Sequence, residues 1–83
     1  MHVNVRYFAS IREALGTSLE PVETTARTVG GLRDELIARG GAHASALARG
    51  RAVRAALDQV MSDDAAALRE GAEVAFFPPV TGG

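Results

Sequence analysis

The segment Glu73-Val74-Ala75-Phe76-Phe77 is apolar at four consecutive positions and stops at Pro78-Pro79. Successive side chains of an extended strand point to opposite faces, so a run that is apolar on both faces reads as a strand flanked by neighbours, not as an edge. The two prolines then withdraw two backbone donors and end the pairing. A chain of 83 residues supplies only one small core. The rest of the sequence therefore has to be arranged around this strand.

Other periodicities supply its neighbours. His2 to Phe8 alternates, with Val3, Val5 and Tyr7 on one side and His2, Asn4, Arg6 and Phe8 on the other, which predicts a half-buried strand. Ser10 stands three residues before Glu13, the spacing of a capping box. It predicts a short helix over about Ile11–Leu15, with Gly16 as a left-handed terminator. Ser18 to Thr24 reads as a weaker strand, placed at a sheet edge and paired as a hairpin because Pro21 lacks a ladder donor. Thr28 is a good N-cap, and Val29, Leu32, Leu36 and Ile37 form one helical stripe with Arg33, Asp34 and Arg39 off it. Gly40 and Gly41 end that main helix. Ala42 to Gly50 has no convincing period and fits either another helical turn or an irregular connection.

Arg51 to Leu57 alternates through Val53, Ala55 and Leu57, a further strand. Ser62-Asp63-Asp64 offers acceptors for a helical turn near Ala65–Leu68, and Gly71 turns the chain into the last strand. The order strand, strand, helix, strand, strand is that of an α+β roll of the ubiquitin-like β-grasp type. The expectation is a mixed sheet of four to five strands with one main helix across it and short extra helical turns, over residues 1–77. An extended tail of residues 78–83 follows.

Composition narrows the chemistry. The formal net charge is −1 with no run of basic residues, so little drives association with nucleic acid. No apolar run approaches the length of a membrane span, and Met1 to Arg6 alternates without a signal-peptide core, so a cytoplasmic location is expected. Cysteine is absent, which removes disulfides, thiolate catalysis and cysteine-based metal sites. All 9 basic side chains are arginine, so no ε-amine exists for Schiff-base chemistry. His2 and His43 lack a second ligand at metal spacing and read as surface residues. Asp63 and Asp64 read as capping residues beside a helix N-terminus. Gly30-Gly31 reads as a helix-packing contact, without the preceding strand and spacing of a phosphate loop.

The chemistry falls to the tail. Pro78-Pro79 pre-sets an extended backbone, so Val80-Thr81-Gly82-Gly83 is expected to project from the sheet with a carboxylate at its end. Gly82 and Gly83 lack a β-carbon, which would let the backbone enter a narrow channel and leave the terminal carbonyl open to attack. Strand alternation also places Phe8 and Phe77 opposite the core-facing set. Exposed aromatics beside a projecting tail are candidate anchors for a partner.

The run Glu73-Val74-Ala75-Phe76-Phe77-Pro78-Pro79-Val80-Thr81-Gly82-Gly83 resembles the terminus of molybdopterin synthase small subunits. The resemblance covers the whole chain. It takes in Tyr7-Phe8-Ala9, Thr28-Val29, Leu57-Asp58-Gln59 and Glu70-Gly71-Ala72-Glu73, with Asp58 where relatives often carry Asn and Glu70 and Ala72 in place of an Asp-Gly-Asp pattern. It implies a sulfur carrier. An activating enzyme resembling the ubiquitin-activating adenylyltransferases would consume ATP to form a transient acyl-AMP on Gly83, and a sulfur donor protein would displace AMP to leave a thiocarboxylate. The loaded tail would enter the large subunit, in an expected heterotetramer, and donate sulfur to cyclic pyranopterin monophosphate.

In that reading Gly83 is the carrier and Gly82 gives flexibility, while Phe8, Met61, Phe77, Pro78, Pro79, Val80 and Thr81 meet the partner, Met61 by its match to a family interface position. The chain would be the sulfur-donor subunit of a sulfurtransferase, with no stably bound cofactor, metal or catalytic site of its own. Three alternatives belong beside it. One is the carrier of thiamine thiazole synthesis, which normally lacks the Phe-Phe-Pro-Pro-Val-Thr run. The others are a ubiquitin-like modifier joined to lysines through Gly83, and a plain interaction module with an inert tail.

Overall fold

The structure is a computed structural model that describes residues 1–79. The expected arm of Val80, Thr81, Gly82 and Gly83 lies outside the described residues. In chain order the elements are β1 (His2–Tyr7), α1 (Ala9–Leu15), β2 (Leu19–Glu23), α2 (Val29–Ala38), α3 (Gly41–Ala46), β3 (Arg54–Leu57), β4 (Val60–Ser62) and β5 (Glu73–Phe77). The strands form one sheet in the order β2-β1-β5-β3-β4. The doubly apolar β5 lies in its centre, parallel to β1 with Val5 opposite Val74, and antiparallel to β3 with Ala56 opposite Ala75. β2 is an edge strand antiparallel to β1, and its Pro21 faces Asn4 where the missing donor can point outward.

The helices cover one face only. Val3, Val5, Tyr7, Val74 and Phe76 from the sheet meet Ile11, Val29, Leu32, Leu36 and Leu47 in a continuous core. The α2 stripe forms as its spacing predicts: Val29, Leu32 and Leu36 are fully buried, and Ile37 packs at the margin. The first amides of α2 are all satisfied. Val29 N–H donates to Ala66 O (3.0 Å), Gly30 N–H to Asp64 O (3.0 Å), Gly31 N–H to Thr28 Oγ1 (3.1 Å) and Leu32 N–H to Thr28 O (3.0 Å). The Gly30-Gly31 pair is a packing contact, but against a loop: a β-carbon on Gly30 would fall 2.8 Å from Asp64 Cβ.

Several expectations are corrected. Ser10 does not cap α1, because the chain leaves β1 at Phe8 and Ala9 already turns into the helix with φ 50. The Phe8 carbonyl accepts from the Ile11 (3.1 Å) and Arg12 (3.3 Å) amides, so backbone replaces the predicted hydroxyl cap. Gly16 does end the helix in the left-handed region, with φ 74. Ala42–Gly50 resolves into α3 and a loop, and α3 packs on α1 and α2. No helical turn forms at Ala65–Leu68. Asp63 Oδ1 accepts from the Ala65 amide (3.0 Å) in a simple turn, and Thr28 bridges Ala67. Asp63 thus caps a turn, while Asp64 pairs with Arg49 and lends its carbonyl to Gly30.

Arg33 is the largest departure. The helical period sets it off the stripe, yet it is only 7% exposed. Its Nε donates to Leu47 O (2.7 Å) and its Nη2 to Ala48 O (2.8 Å) and, more weakly, to Arg51 O (3.4 Å), which ties the 47–51 loop to α2. Desolvation lowers the Arg33 pKa, and the neighbouring Arg49 adds to that. Arg49 holds the same loop from outside through Asp34 Oδ1 (2.9 Å), Asp64 and Gly30 O (3.0 Å).

His43, expected at the surface, is half-buried and engaged within the fold. Its ring stands edge-on to Tyr7, with centroids 6.2 Å apart, and its Nε2 lies 3.1 Å from Glu20 Oε2. Tyr7 donates its hydroxyl to the same carboxylate (2.9 Å), and Arg39 pairs with the other oxygen. Desolvation would raise the Glu20 pKa, but the hydrogen bonds from Arg39, His43 and Tyr7 outweigh it, so the carboxyl sits below its ordinary value. Burial, reinforced by that hydrogen bond, pushes the Tyr7 phenol well above its own. His2 does lie at the surface, beside Glu23 (2.8 Å) and Glu70 (3.5 Å).

Candidate functional site

The sheet face opposite the helices is open, and strand alternation determines what it displays. From β1 it carries His2, Asn4, Arg6 and then Phe8, from β5 Glu73, Ala75 and Phe77, from β3 Arg54 and Ala56, and from β4 Met61, which pairs with Ala56. At its centre two alanines meet. Ala56 and Ala75 are opposite one another and only 9% and 8% exposed, because larger neighbours stand around them. The result is an open recess of about 600 Å³ above the two alanines, walled by Phe8, Phe77, Pro78 and Pro79 and rimmed by Arg6, Gln59 and Glu73.

Phe8 is held where β1 ends. Its amide donates to Phe76 O (3.2 Å), which extends the β1–β5 ladder by one residue, and Ala9 then diverts the chain so that the ring stays 42% exposed. The Arg6 guanidinium lies 5.5 Å from the centre of that ring, within cation–π range. Phe77 is half-buried at the end of β5, directly before the prolines. Met61, 54% exposed, shares a smaller hollow with Arg54, Phe77 and Pro79. Five expected partner-binding residues, Phe8, Met61, Phe77, Pro78 and Pro79, thus converge on one side of the sheet. The other expected site residues, Val80, Thr81, Gly82 and Gly83, lie outside the described residues.

The residues of this surface not named among the expected partner contacts include Arg6, Ala56, Ala75, Arg54 and Gln59. The strand alternation that exposed Phe8 and Phe77 also carried Ala56 and Ala75, as small residues on a non-core face between large ones. Gln59 arrives through a two-residue hairpin in which Asp58 has φ 49 and Gln59 φ 69, the left-handed pair of a type I′ turn. Asp58 secures that turn: its amide donates to Glu73 O (2.8 Å), and its Oδ1 accepts from the Glu73 amide (2.9 Å). Among the described residues no group of three or more His, Asp or Glu side chains could hold a metal ion. The arrangement is an apolar seat beside Pro78-Pro79.

Residues 5–83 match the ThiS family profile. The chain belongs to the ThiS family. Two relatives extend over nearly all of it. The molybdopterin synthase sulfur carrier subunit of Escherichia coli (strain K12) is 41% identical over 98% of this chain and 99% of its own length, and that of Haemophilus influenzae is 37% identical over the same shares. Among solved structures, small archaeal modifier protein 1 from Haloferax volcanii superposes with a TM-score of 0.79 at 25% identity, covering 100% of both chains. The complex of subunits 1 and 2 of the molybdopterin-converting factor from Helicobacter pylori contains a chain matched with a TM-score of 0.70 at 25% identity, again over 100% of both. The β-grasp expectation holds in these neighbours and in the five-stranded mixed sheet. No helix among the described residues is long and apolar enough to cross a membrane.

Proposed function

We propose that this chain carries sulfur as a thiocarboxylate on Gly83 and delivers it, as the small subunit, within a molybdopterin synthase. The observation that carries the reading is its end-to-end kinship with molybdopterin synthase sulfur carrier subunits at 37% and 41% identity. The chemistry is consistent with the composition. With no cysteine in the chain, a side-chain thiol cannot hold the cargo, and the main-chain carboxylate of Gly83 is the remaining seat.

A carboxylate is a poor electrophile. Attack by the Gly83 carboxylate on the α-phosphate of ATP expels pyrophosphate and gives an acyl-adenylate; a sulfide-level nucleophile from the donor then attacks the carbonyl carbon and AMP leaves with the C–O bonding pair, so two easier substitutions replace one hard one. Both steps belong to an activating enzyme and a sulfur donor. The chain contributes the acyl end, the glycines that let it pass a narrow channel, and a docking face. Residues 78–83 are the working tail. The recess between Phe8 and Phe77 is where the large subunit engages, in the heterotetramer of the family, and cyclic pyranopterin monophosphate receives the sulfur inside that subunit, which the loaded tail enters. Such a pathway places the protein in the cytoplasm.

Intact mass spectrometry after incubation with the activating enzyme, ATP and a sulfur source tests the proposal. Exchange of one terminal oxygen for sulfur, reversed on adding the large subunit and pterin substrate, is expected, and an unchanged mass refutes it. Reconstitution with the thiamine-pathway acceptor separates the related carrier function. The likeness to an archaeal modifier protein favours one second reading, capture of the same adenylate by lysine amines of other proteins. Its signature is covalent high-mass adducts ending in Gly83.

A further inference from the structure

The tail root is basic although the chain as a whole is not. Three hollows adjoin Pro78 or Pro79, and each carries an arginine: Arg6 in the recess, Arg51 beside Pro78, and Arg54 between Met61 and Pro79. All three are exposed. The one carboxylate among these lining residues, Glu73, is engaged loosely with Arg6 at 3.7 Å, and Arg54 also borders a further hollow that holds Asp63 and Asp64. Among the described residues no carboxylate lies within ion-pair distance of Arg51 or Arg54. Elsewhere the arginines of α2 and the following loop are consumed internally, Arg33 by carbonyls, Arg39 by Glu20 and Arg49 by two aspartates. Arg51 and Arg54 therefore hold positive charge without an ion-pair partner among the described residues beside Pro78 and Pro79, as Arg12, Arg27 and Arg69 do elsewhere on the surface.

We propose that Arg51 and Arg54, supported by Arg6, determine the specificity of the docking face. They select a partner whose tail-receiving mouth carries carboxylates around an apolar side chain that fills the Ala56–Ala75 recess. The inference rests on the sulfur-carrier reading and names the partner as the molybdopterin synthase large subunit. The division of labour follows from the physics. A buried apolar plug in the recess sets how long the complex lasts, whereas exposed charges at its rim steer the encounter and reject partners of like charge. Long-range steering by exposed charge is screened by salt, so its signature is kinetic and ionic-strength dependent.

The test measures association of the full chain with its cognate large subunit by stopped flow, at low salt and at about 0.5 M NaCl. The wild-type rate constant is expected to fall about ten-fold across that range. Arg54→Glu and Arg51→Glu should each slow association about ten-fold at low salt and flatten or invert the salt dependence. Arg27→Glu, which changes net charge identically but lies outside the sheet, should slow it less than about two-fold. Thermal melts of these exposed-site variants serve as the folding control.

Equal effects of Arg54→Glu and Arg27→Glu, salt-independent association, or no association with the large subunit each overturn the proposal. Intact mass of Gly83 in the same preparations separates the two readings. Sulfur loading and transfer with indifferent charge variants sinks the arginine assignment alone, whereas a Gly83 that never gains sulfur sinks the carrier reading.

Discussion

Replacing Arg33 by Met probes how the loop before β3 is held. The guanidinium makes two short bonds, to Leu47 O at 2.7 Å and Ala48 O at 2.8 Å, and a marginal third at 3.4 Å. Hydrogen bonds from a charged donor are each worth about 1.5–3 kcal/mol, so two set a ceiling of about 6 kcal/mol. Met keeps the aliphatic stem in place, and the loop carbonyls at the exposed end can rehydrate, which brings the expected loss to about 3 kcal/mol. For a domain of this size, that corresponds to a fall of about 15 °C in melting temperature. Urea denaturation followed by circular dichroism measures it, and an unchanged slope would show that the unfolded state is unaffected. Arg33→Lys offers one ammonium group where two carbonyls lie and should recover about half the loss. A loss below about 1 kcal/mol for Arg33→Met would refute the claim that these bonds hold the loop.

Other outcomes follow from the same structure. Gln59→Gly relieves a left-handed non-glycine residue and should stabilise the protein by about 0.5–1 kcal/mol in denaturant midpoint. Gly30→Ala gains helix propensity but drives a β-carbon to 2.8 Å from Asp64 Cβ; the net expectation is a loss of about 1–2 kcal/mol by the same measurement. Stability should fall at both ends of the pH scale. Glu20 has a depressed folded pKa, so its contribution is present above its ordinary value of 4.5 and is lost as acid protonates it. Tyr7 has a raised one, so its contribution is lost as pH climbs past 10.0. Glu20→Gln should blunt the acid limb, leaving the part due to Asp34, which the Arg49 hydrogen bond holds low, and Tyr7→Phe should remove the alkaline limb. Gly82→Val should leave the melt unchanged and cut sulfur transfer at least about ten-fold, as a branched side chain stiffens and widens the tail.

What was legible in the sequence was whatever a local period encodes. β1, the β2 edge with its proline, the α2 stripe behind Thr28 and the central β5 all follow from spacing, and the placement of Phe8 and Phe77 on the open face follows from counting alternate residues. What was not legible depends on partners far along the chain. Arg33 lies off the stripe by period, yet carbonyls 14 to 18 residues away draw it in. Ser10 loses its cap because β1 runs one ladder bond further and the Phe8 carbonyl takes over. His43 has no neighbour of interest in sequence, but Glu20 and Tyr7 reach it in space. Val60–Ser62 is too short to alternate, and it becomes a strand because the Asp58-Gln59 turn folds it back on β3. The grouping of arginines was hidden for a related reason: Arg6, Arg51 and Arg54 are scattered in sequence, and Arg6 and Arg54 come near Pro78-Pro79 through β1, β5 and β3 while Arg51 arrives on the loop before β3, against α1 and α3.

The central position of β5 bears on how the protein is made. Every other strand is synthesised first, but the sheet stays split into a β1–β2 hairpin and a β3–β4 hairpin until residues 73–77 arrive to join them. That closure pairs Asn4 with Glu73 across nearly the whole sequence, the kind of long-range parallel pairing that folds slowly. A nascent chain still tethered at that strand therefore cannot mature, and a translation product truncated before it has no route to a native sheet. Cellular quality control would meet such fragments as unfolded polypeptide and clear them.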